Sequence, residues 1–514
     1  MLLKTDISSK TDILSKTDML SETDMLSETD MLSKTDMLSK TDMLSETDML
    51  SETDMLSKTD MLSKTDMLSE TDMFSETDML SETDMLSKAG KLHSPLPPSA
   101  PAVYIHIPFC VSKCAYCDFY SLPCAEKSPV KQSEETYGER KNGASTQALC
   151  KSEKYSDGCF APEIYELHSR YVDALCRQMR AASERYDRPR VSTVFIGGGT
   201  PSVLKTEEIR RIFDTLFSCF DIPTDTEITL EANPDTLSYE KLCAYRKMGI
   251  NRLSIGMQSA VDSELKAISR IHTASSVAEA VKNARAAGFE NINLDIMYAL
   301  PFQTEESFKT TLDTVLSLSP EHVSVYGLQL EEGTPLFKNR EKLTFPGEDG
   351  ENLMNALAQS VLEKNGYRRY EISNYAREGF ECRHNLNYWT LGEYFGFGVA
   401  AHSFKDGKRE SIKKDIHAYC ALSDFSEVTE VEEILTEEEY VDEYVMVSLR
   451  LCKGLSLSAL NSLSKNAATY VKRAEPFVKC GLMEIYELDG ERFLRFTPNG
   501  FNLSNTVLSE ILYL

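Results

Sequence analysis

A partial (β/α)6 barrel followed by a mixed helical domain is the α/β architecture predicted for this 514-residue chain. Three observations predict it. Short runs of β-branched residues alternate with amphipathic stretches from Val103 to Leu328, the pattern of parallel βα units. Six such runs occur, too few for a closed eight-stranded barrel. From Thr344 onward the texture changes to helices mixed with short strands, which predicts a second domain over 344–514.

The chain does not open on this pattern. Residues 9–86 repeat one hexad, Ser-Lys/Glu-Thr-Asp-Met/Ile-Leu/Phe, thirteen times. A helix turns about 100° per residue, so the Met-Leu pairs of a six-residue period wander over every face and form no apolar stripe. A disordered or loosely helical tail over 1–92 is expected. A self-associating long helix and a hexapeptide β-solenoid are the alternatives. Residues 93–102 are a Pro-rich linker. The barrel region then spans 103–343.

Its strands are expected at Val103–Ile107, Val191–Ile196, Glu227–Ala232, Arg252–Gly256, Asn291–Met297 and His322–Leu328. Helices fall between them at Glu207–Phe217, Tyr239–Met248, Ser276–Ala287 and Glu305–Leu318. Residues 122–162 are polar and aperiodic, and read as a surface insertion in the first βα connection. Near the C-terminus, Leu482–Tyr486 and Arg492–Phe496 bracket Glu487-Leu-Asp-Gly-Glu491. That is a hairpin signal and suggests a small winged-helix-like element.

Composition narrows the function classes. The net charge of −26 disfavours non-specific binding to nucleic acid or anionic membrane. Nine lysines against fourteen aspartates and seven glutamates give residues 1–92 a net −12. No apolar run approaches the roughly 18 residues of a membrane span. The first residues lack the apolar core and cleavage site of a signal peptide, so a cytoplasmic location is expected. Thirteen cysteines in so long a chain do not read as a secreted disulfide framework.

Three of those cysteines carry the chemistry. Cys110-Val-Ser-Lys-Cys114-Ala-Tyr-Cys117 directly follows the first strand, at its C-terminal end. Three thiolates so spaced suit three irons of a [4Fe–4S] cluster and leave the fourth iron open to another ligand. Zinc is the alternative. A structural zinc site wants four protein ligands, usually as two pairs, and there is no second Cys-x-x-Cys, although Cys124 is near. Phe195-Ile-Gly-Gly-Gly-Thr200-Pro follows a strand and opens a helix, where glycines let backbone approach a ligand closely. Its spacing is not that of a dinucleotide fingerprint. Polar residues recur at or near later strand ends: Glu231, Gln258, Arg270 just beyond, and Asp295. The C-terminal strand ends are the active face of such barrels.

With Tyr104-Ile-His-Ile-Pro-Phe109 ahead of it, the cysteine segment resembles the radical S-adenosylmethionine (SAM) superfamily. The resemblance implies SAM on the open iron. It places Tyr104 beside the cluster and Gly198, Gly199 and Thr200 in the loop that holds the SAM amino group. Glu231, Gln258, Arg270 and Asp295 then stand around the rest of the molecule. The motif order over 101–514 is similar to the group containing oxygen-independent coproporphyrinogen III dehydrogenase (HemN) and the haem chaperone HemW. Phe119 stands where HemN-type enzymes carry a further cysteine, and Cys382-Arg-His-Asn-Leu-Asn-Tyr-Trp389 resembles a H-N-x-x-Y-W signature associated with haem. By that resemblance His384, Asn385, Tyr388 and Trp389 would contact haem. His384 is one candidate axial ligand and His402 its rival.

The sequence departs from the family at Ala299-Leu-Pro-Phe302-Gln-Thr304, where Gly-Leu-Pro-Gly-Gln-Thr is usual. The expected function is a haem chaperone that carries a cluster, SAM and haem, serves an unknown acceptor and has no assigned catalytic residue. A homodimer is compatible with it. A radical enzyme acting on coproporphyrinogen III is the alternative, and an interaction protein built on the hexad tail is a third reading.

Overall fold

The computed structural model describes residues 100–124 and 160–512. The hexad tail, residues 93–99 of the linker and most of the polar insertion lie outside them. The described chain forms two compact units: Pro98–Lys405 with Ser411–Glu430, and Asp406–Glu410 with the chain from Val431 on.

The larger unit is built on six parallel strands: β1 (Ala102–Ile107), β4 (Thr193–Gly198), β5 (Glu227–Ala232), β6 (Arg252–Gln258), β7 (Asn291–Tyr298) and β8 (His322–Gly327). Two short strands, β2 (Phe109–Cys110) and β3 (Leu122–Pro123), pair with each other beside β1. Helices α1 (Pro162–Tyr186), α2 (Thr206–Cys219), α3 (Tyr239–Lys247), α4 (Ala274–Ala286) and α5 (Glu305–Leu318) connect the strands. Each expected strand and helix is present, with ends shifted by a few residues.

Alternation along the strands sorts the two faces. Val103, Ile105, Val194, Ile196, Ile228, Leu230, Leu253, Ile255, Ile292 and Leu294 join one buried apolar cluster with Ile209, Ile212, Val277 and Leu312 of the helices. The intervening residues face the concave side and are mostly polar. Glu227, Thr229, Arg252, Ser254, Asn293, His322 and Ser324 are all buried there.

The sheet grows beyond six strands. After α6 (Gly347–Lys364) come β9 (Arg368–Arg369), β10 (Asn374–Ala376) and helix α7 (Arg383–Trp389), then β11 (Tyr394–Phe397) and β12 (His402–Lys405). Strand β10 pairs antiparallel with β8, and β11 pairs parallel with β1. The larger unit continues past residue 343 to Lys405 and takes in Ser411–Glu430, and β11 supplies a further parallel strand beside β1.

The chain crosses between the units within β13 (Lys408–Ile412) and β14 (Thr429–Ile434). The smaller unit carries α8 (Glu437–Ser448), β15 (Leu455–Ser456), α9 (Leu457–Leu463), α10 (Ala467–Lys479), β16 (Met483–Leu488) and β17 (Glu491–Phe496). This is the winged-helix order of elements. Leu488 pairs with Glu491 across Asp489 and Gly490, both at positive φ, which is the geometry of a two-residue type I′ turn. No helix among the described residues is long and apolar enough to cross a membrane.

Candidate functional site

The structure brings the expected cluster and SAM residues to one end of the barrel. Cys110 closes β2 and the loop beyond it carries Cys114 and Cys117, all three half-buried. Cys117 N–H donates to the Cys114 carbonyl at 3.3 Å and tightens the turn between them. Burial, then the neighbouring Cys114, pushes the Cys117 thiol up to about 12, and burial also raises Cys110. Burial thus disfavours the free thiolates of Cys110 and Cys117, and iron would supply the charge that offsets this.

Two donors already point at the sulfurs. Thr200 Oγ1 lies 3.5 Å from Cys110 Sγ, and Arg270 Nη1 lies 3.4 Å from Cys114 Sγ. Hydrogen bonds to cluster sulfurs are one lever on a cluster's potential. Among the described residues no three His, Cys, Asp or Glu side chains converge as ligands of a single ion. The donor set fits a [4Fe–4S] group.

The Gly197-Gly198-Gly199 turn is pressed against this loop. A Cβ on Gly199 would sit 2.7 Å from the Phe109 carbonyl oxygen. Gly198 has φ +104°, and a Cβ there would meet the His106 ring at 2.5 Å. Gly199 and Thr200 donate their N–H groups to the Ile107 and Phe109 carbonyls. What the turn can offer an ammonium group is therefore its carbonyl oxygens.

Gly198 N–H donates to Glu231 Oε2 at 3.1 Å. Burial, then the charge of Asp295, pushes the Glu231 carboxyl up to about 8. Asp295 accepts from Asn293 Nδ2 at 2.8 Å and from Ser254 Oγ at 3.0 Å, and burial raises its carboxyl too. Gln258 closes β6 at φ +62°, beside a register shift. A Cβ on Gly256 would lie 2.9 Å from both Gln258 Nε2 and Arg270 Nη2, so these two side chains meet at that glycine. Arg270 Nη2 also donates to the Gly256 carbonyl at 2.7 Å. Tyr104, facing the lumen, reaches His106 Nδ1 at 3.1 Å, and His106 Nε2 lies 3.0 Å from the Tyr120 carbonyl.

The segment expected to touch haem lies at the other end of the strands. Glu227, the first residue of β5, accepts the N–H groups of Arg383 and His384, both at 3.1 Å, and so caps α7. His384 Nδ1 meets Thr193 Oγ1, on the first residue of β4, at 2.8 Å, and its Nε2 meets Tyr388 Oη at 3.0 Å. Trp389 is buried, while Asn385 and Tyr388 are half-buried. Helix α7 thus plugs the N-terminal end of the barrel. His384, one candidate axial ligand by the resemblance, is buried here with both ring nitrogens engaged. His402 lies on β12 and is half-buried.

Sequence reasoning missed His106, Ser254, Asn293 and His322. His322 Nδ1 contacts Asn293 Oδ1 at 2.6 Å, and its Nε2 contacts Tyr370 Oη at 2.8 Å. The signal was present in strands such as His322-Val-Ser-Val-Tyr326, where polar side chains take every second place.

The chain matches the Radical SAM superfamily over residues 104–315. It is 34% identical to the heme chaperone HemW of Bacillus subtilis over 360 residues, which span 69% of this chain and 84% of that protein. It is 30% identical to the heme chaperone HemW of Lactococcus lactis over 426 residues, 80% of this chain and 97% of that protein. The solved structure of Escherichia coli coproporphyrinogen III oxidase (HemN), a radical SAM enzyme, aligns with a TM-score of 0.64 at 22% identity. That alignment covers 84% of this chain and 94% of the other, and it bears on the fold. Fold, cysteine loop and relatives agree, and the chain belongs to the HemW family of the radical SAM superfamily.

Proposed function

We propose that this protein is a haem chaperone that holds a [4Fe–4S] cluster on Cys110, Cys114 and Cys117, with SAM on the open iron, and passes haem to an acceptor protein. The observation that supports it most is membership of the HemW family over nearly the full length of the Lactococcus relative. The SAM-facing residues are Tyr104, the turn Gly198–Thr200, Glu231, Gln258, Arg270 and Asp295. The half-buried Asn385 and Tyr388 of α7, together with His402, are the groups on this chain suited to meet a porphyrin. When bound, the cluster supplies a redox-active iron to which SAM can bind; the chain's own residues orient SAM and exclude water. A cytoplasmic location and a homodimer complete the reading.

Phe119, where HemN-type enzymes carry a cysteine, speaks against the coproporphyrinogen enzyme. The likeness to HemN concerns fold alone. The test is haem transfer. Full-length chain, reconstituted without oxygen and loaded with one haem, is mixed with an apo-haemoprotein, and the Soret band is followed. Transfer faster than from free haem, and lost when Cys110, Cys114 and Cys117 are replaced by Ala, is expected. Binding of haem without transfer would contradict the proposal.

A further inference from the structure

We propose that His384 is a positioning residue for the SAM-facing end of the barrel, acting through Phe195 and Tyr104. The inference rests on the reading that this end takes the cluster and SAM.

Alternation along β4 turns Thr193 and Phe195 toward the lumen. The His384 ring stacks on Phe195, with centroids 5.1 Å apart and planes 29° apart. Phe195 in turn stacks on Tyr104 at 6.4 Å and 27°. Tyr104 Oη contacts His106, and His106 contacts the Tyr120 carbonyl, three residues beyond Cys117. A continuous column of rings therefore runs from the plug at the strands' N-terminal end to the cysteine loop at their C-terminal end.

The lower end of the column is fixed. A neutral imidazole has one donor and one acceptor. Thr193 Oγ1 and Tyr388 Oη take both positions. Burial drives the ring's pKa down to about 3, so it stays neutral at ordinary pH. Thr193 is itself buried. Withdrawing the ring to bind iron would leave that hydroxyl unpaired in the core. The upper end is where function lies. Tyr104 is near enough to Glu231 for that carboxylate to raise its phenol after burial does. If the imidazole is truncated, the space under Phe195 invites the ring to sink, and Tyr104 and His106 follow.

The test uses the full-length chain, reconstituted without oxygen, as wild type, His384→Ala, His384→Phe and Phe195→Leu. Iron per chain, the Kd for SAM by equilibrium dialysis and the Soret spectrum on haem titration are read from each. His384→Ala and Phe195→Leu are expected to weaken SAM binding by roughly 3- to 10-fold at full iron content. His384→Phe, which keeps the stacking but cannot ligate iron, is expected to restore most of that affinity. The Soret position and haem stoichiometry are expected to be unchanged throughout. A Soret shift or lost haem in His384→Phe, with SAM affinity at the wild-type level, would make His384 a haem ligand and overturn the inference. Unchanged SAM affinity in both His384→Ala and Phe195→Leu would also overturn it. A wild-type chain that takes up no cluster or SAM would sink the function proposed above, and this inference with it.

Discussion

Phe302 holds an exposed aromatic ring on left-handed backbone, at φ +64° and 57% exposed. Its N–H donates to the Thr344 carbonyl at 2.7 Å, so the loop geometry is set by contacts and not by the side chain. Ala299, three residues earlier, has φ +61°. Both stand where the family pattern has glycine, and the structure shows that the glycine-type backbone is kept although the residues changed. A side chain in this region costs about 1–2 kcal/mol, part of which glycine gives back as extra freedom in the unfolded chain. Phe302→Gly is therefore expected to stabilise the protein by about 0.5–1 kcal/mol, read as a higher denaturant midpoint. A lower midpoint would show that the ring packs on something that offsets the strain. Ala299 is buried among Leu300, Met297 and Ile268, so the same change there loses packing and is expected to be near neutral. The two departures were legible in the sequence. Their backbone angles were not, because the hydrogen bond that holds Phe302 comes from residue 344.

At the scale of elements, the six parallel strands and the helices between them were readable because each carries its own periodicity. The long reach of the barrel unit was not. Strand β11, Tyr394-Phe-Gly-Phe397, is too short to announce a partner, and its pairing with β1 joins residues nearly three hundred positions apart. The burial of α7 was hidden for a related reason. The spacing His384-Asn-x-x-Tyr-Trp offers ligand-type side chains, but whether they face a ligand or the core is decided by Glu227 and Thr193, far away in sequence. Glu227 is the support of α7. It is buried, and its carboxylate accepts two otherwise orphaned N–H groups. Glu227→Ala is expected to cost about 2–4 kcal/mol, since a buried unsatisfied donor costs about 1–3 kcal/mol. The loss is measured by denaturant unfolding. A cost below about 0.5 kcal/mol, the size of an ordinary surface change, would mean that α7 does not depend on this cap.

For the whole molecule, the polar lumen sets how proton uptake, folding and ligand binding are linked. The Glu231 carboxyl is shifted from 4.5 up to about 8, first by burial and then by Asp295. The folded chain therefore holds a proton that the unfolded chain releases above about pH 4.5. This contribution to stability is fully present below about pH 4.5 and is lost as the pH rises toward about 8. SAM carries positive charge, and in the proposed placement a cation beside Glu231 favours its ionised form. SAM binding should thus expel a proton, and affinity should rise from pH 6 to pH 8. Glu231→Gln is expected to flatten that rise, as read by dialysis at each pH; an equal slope in the variant would place the coupling elsewhere. Asp295, also raised by burial, is the other carboxyl facing this site.

The central claim is that this radical SAM fold carries haem and does not turn over a porphyrin precursor. The most direct measurement supplies the full-length chain, with its cluster complete by iron analysis, with SAM, a one-electron reductant and coproporphyrinogen III under anaerobic conditions. Protoporphyrinogen is then quantified against enzyme. The account predicts none beyond background, from protein that still binds haem. Product in excess of the protein present would contradict it, and would make Phe119 compatible with the enzyme.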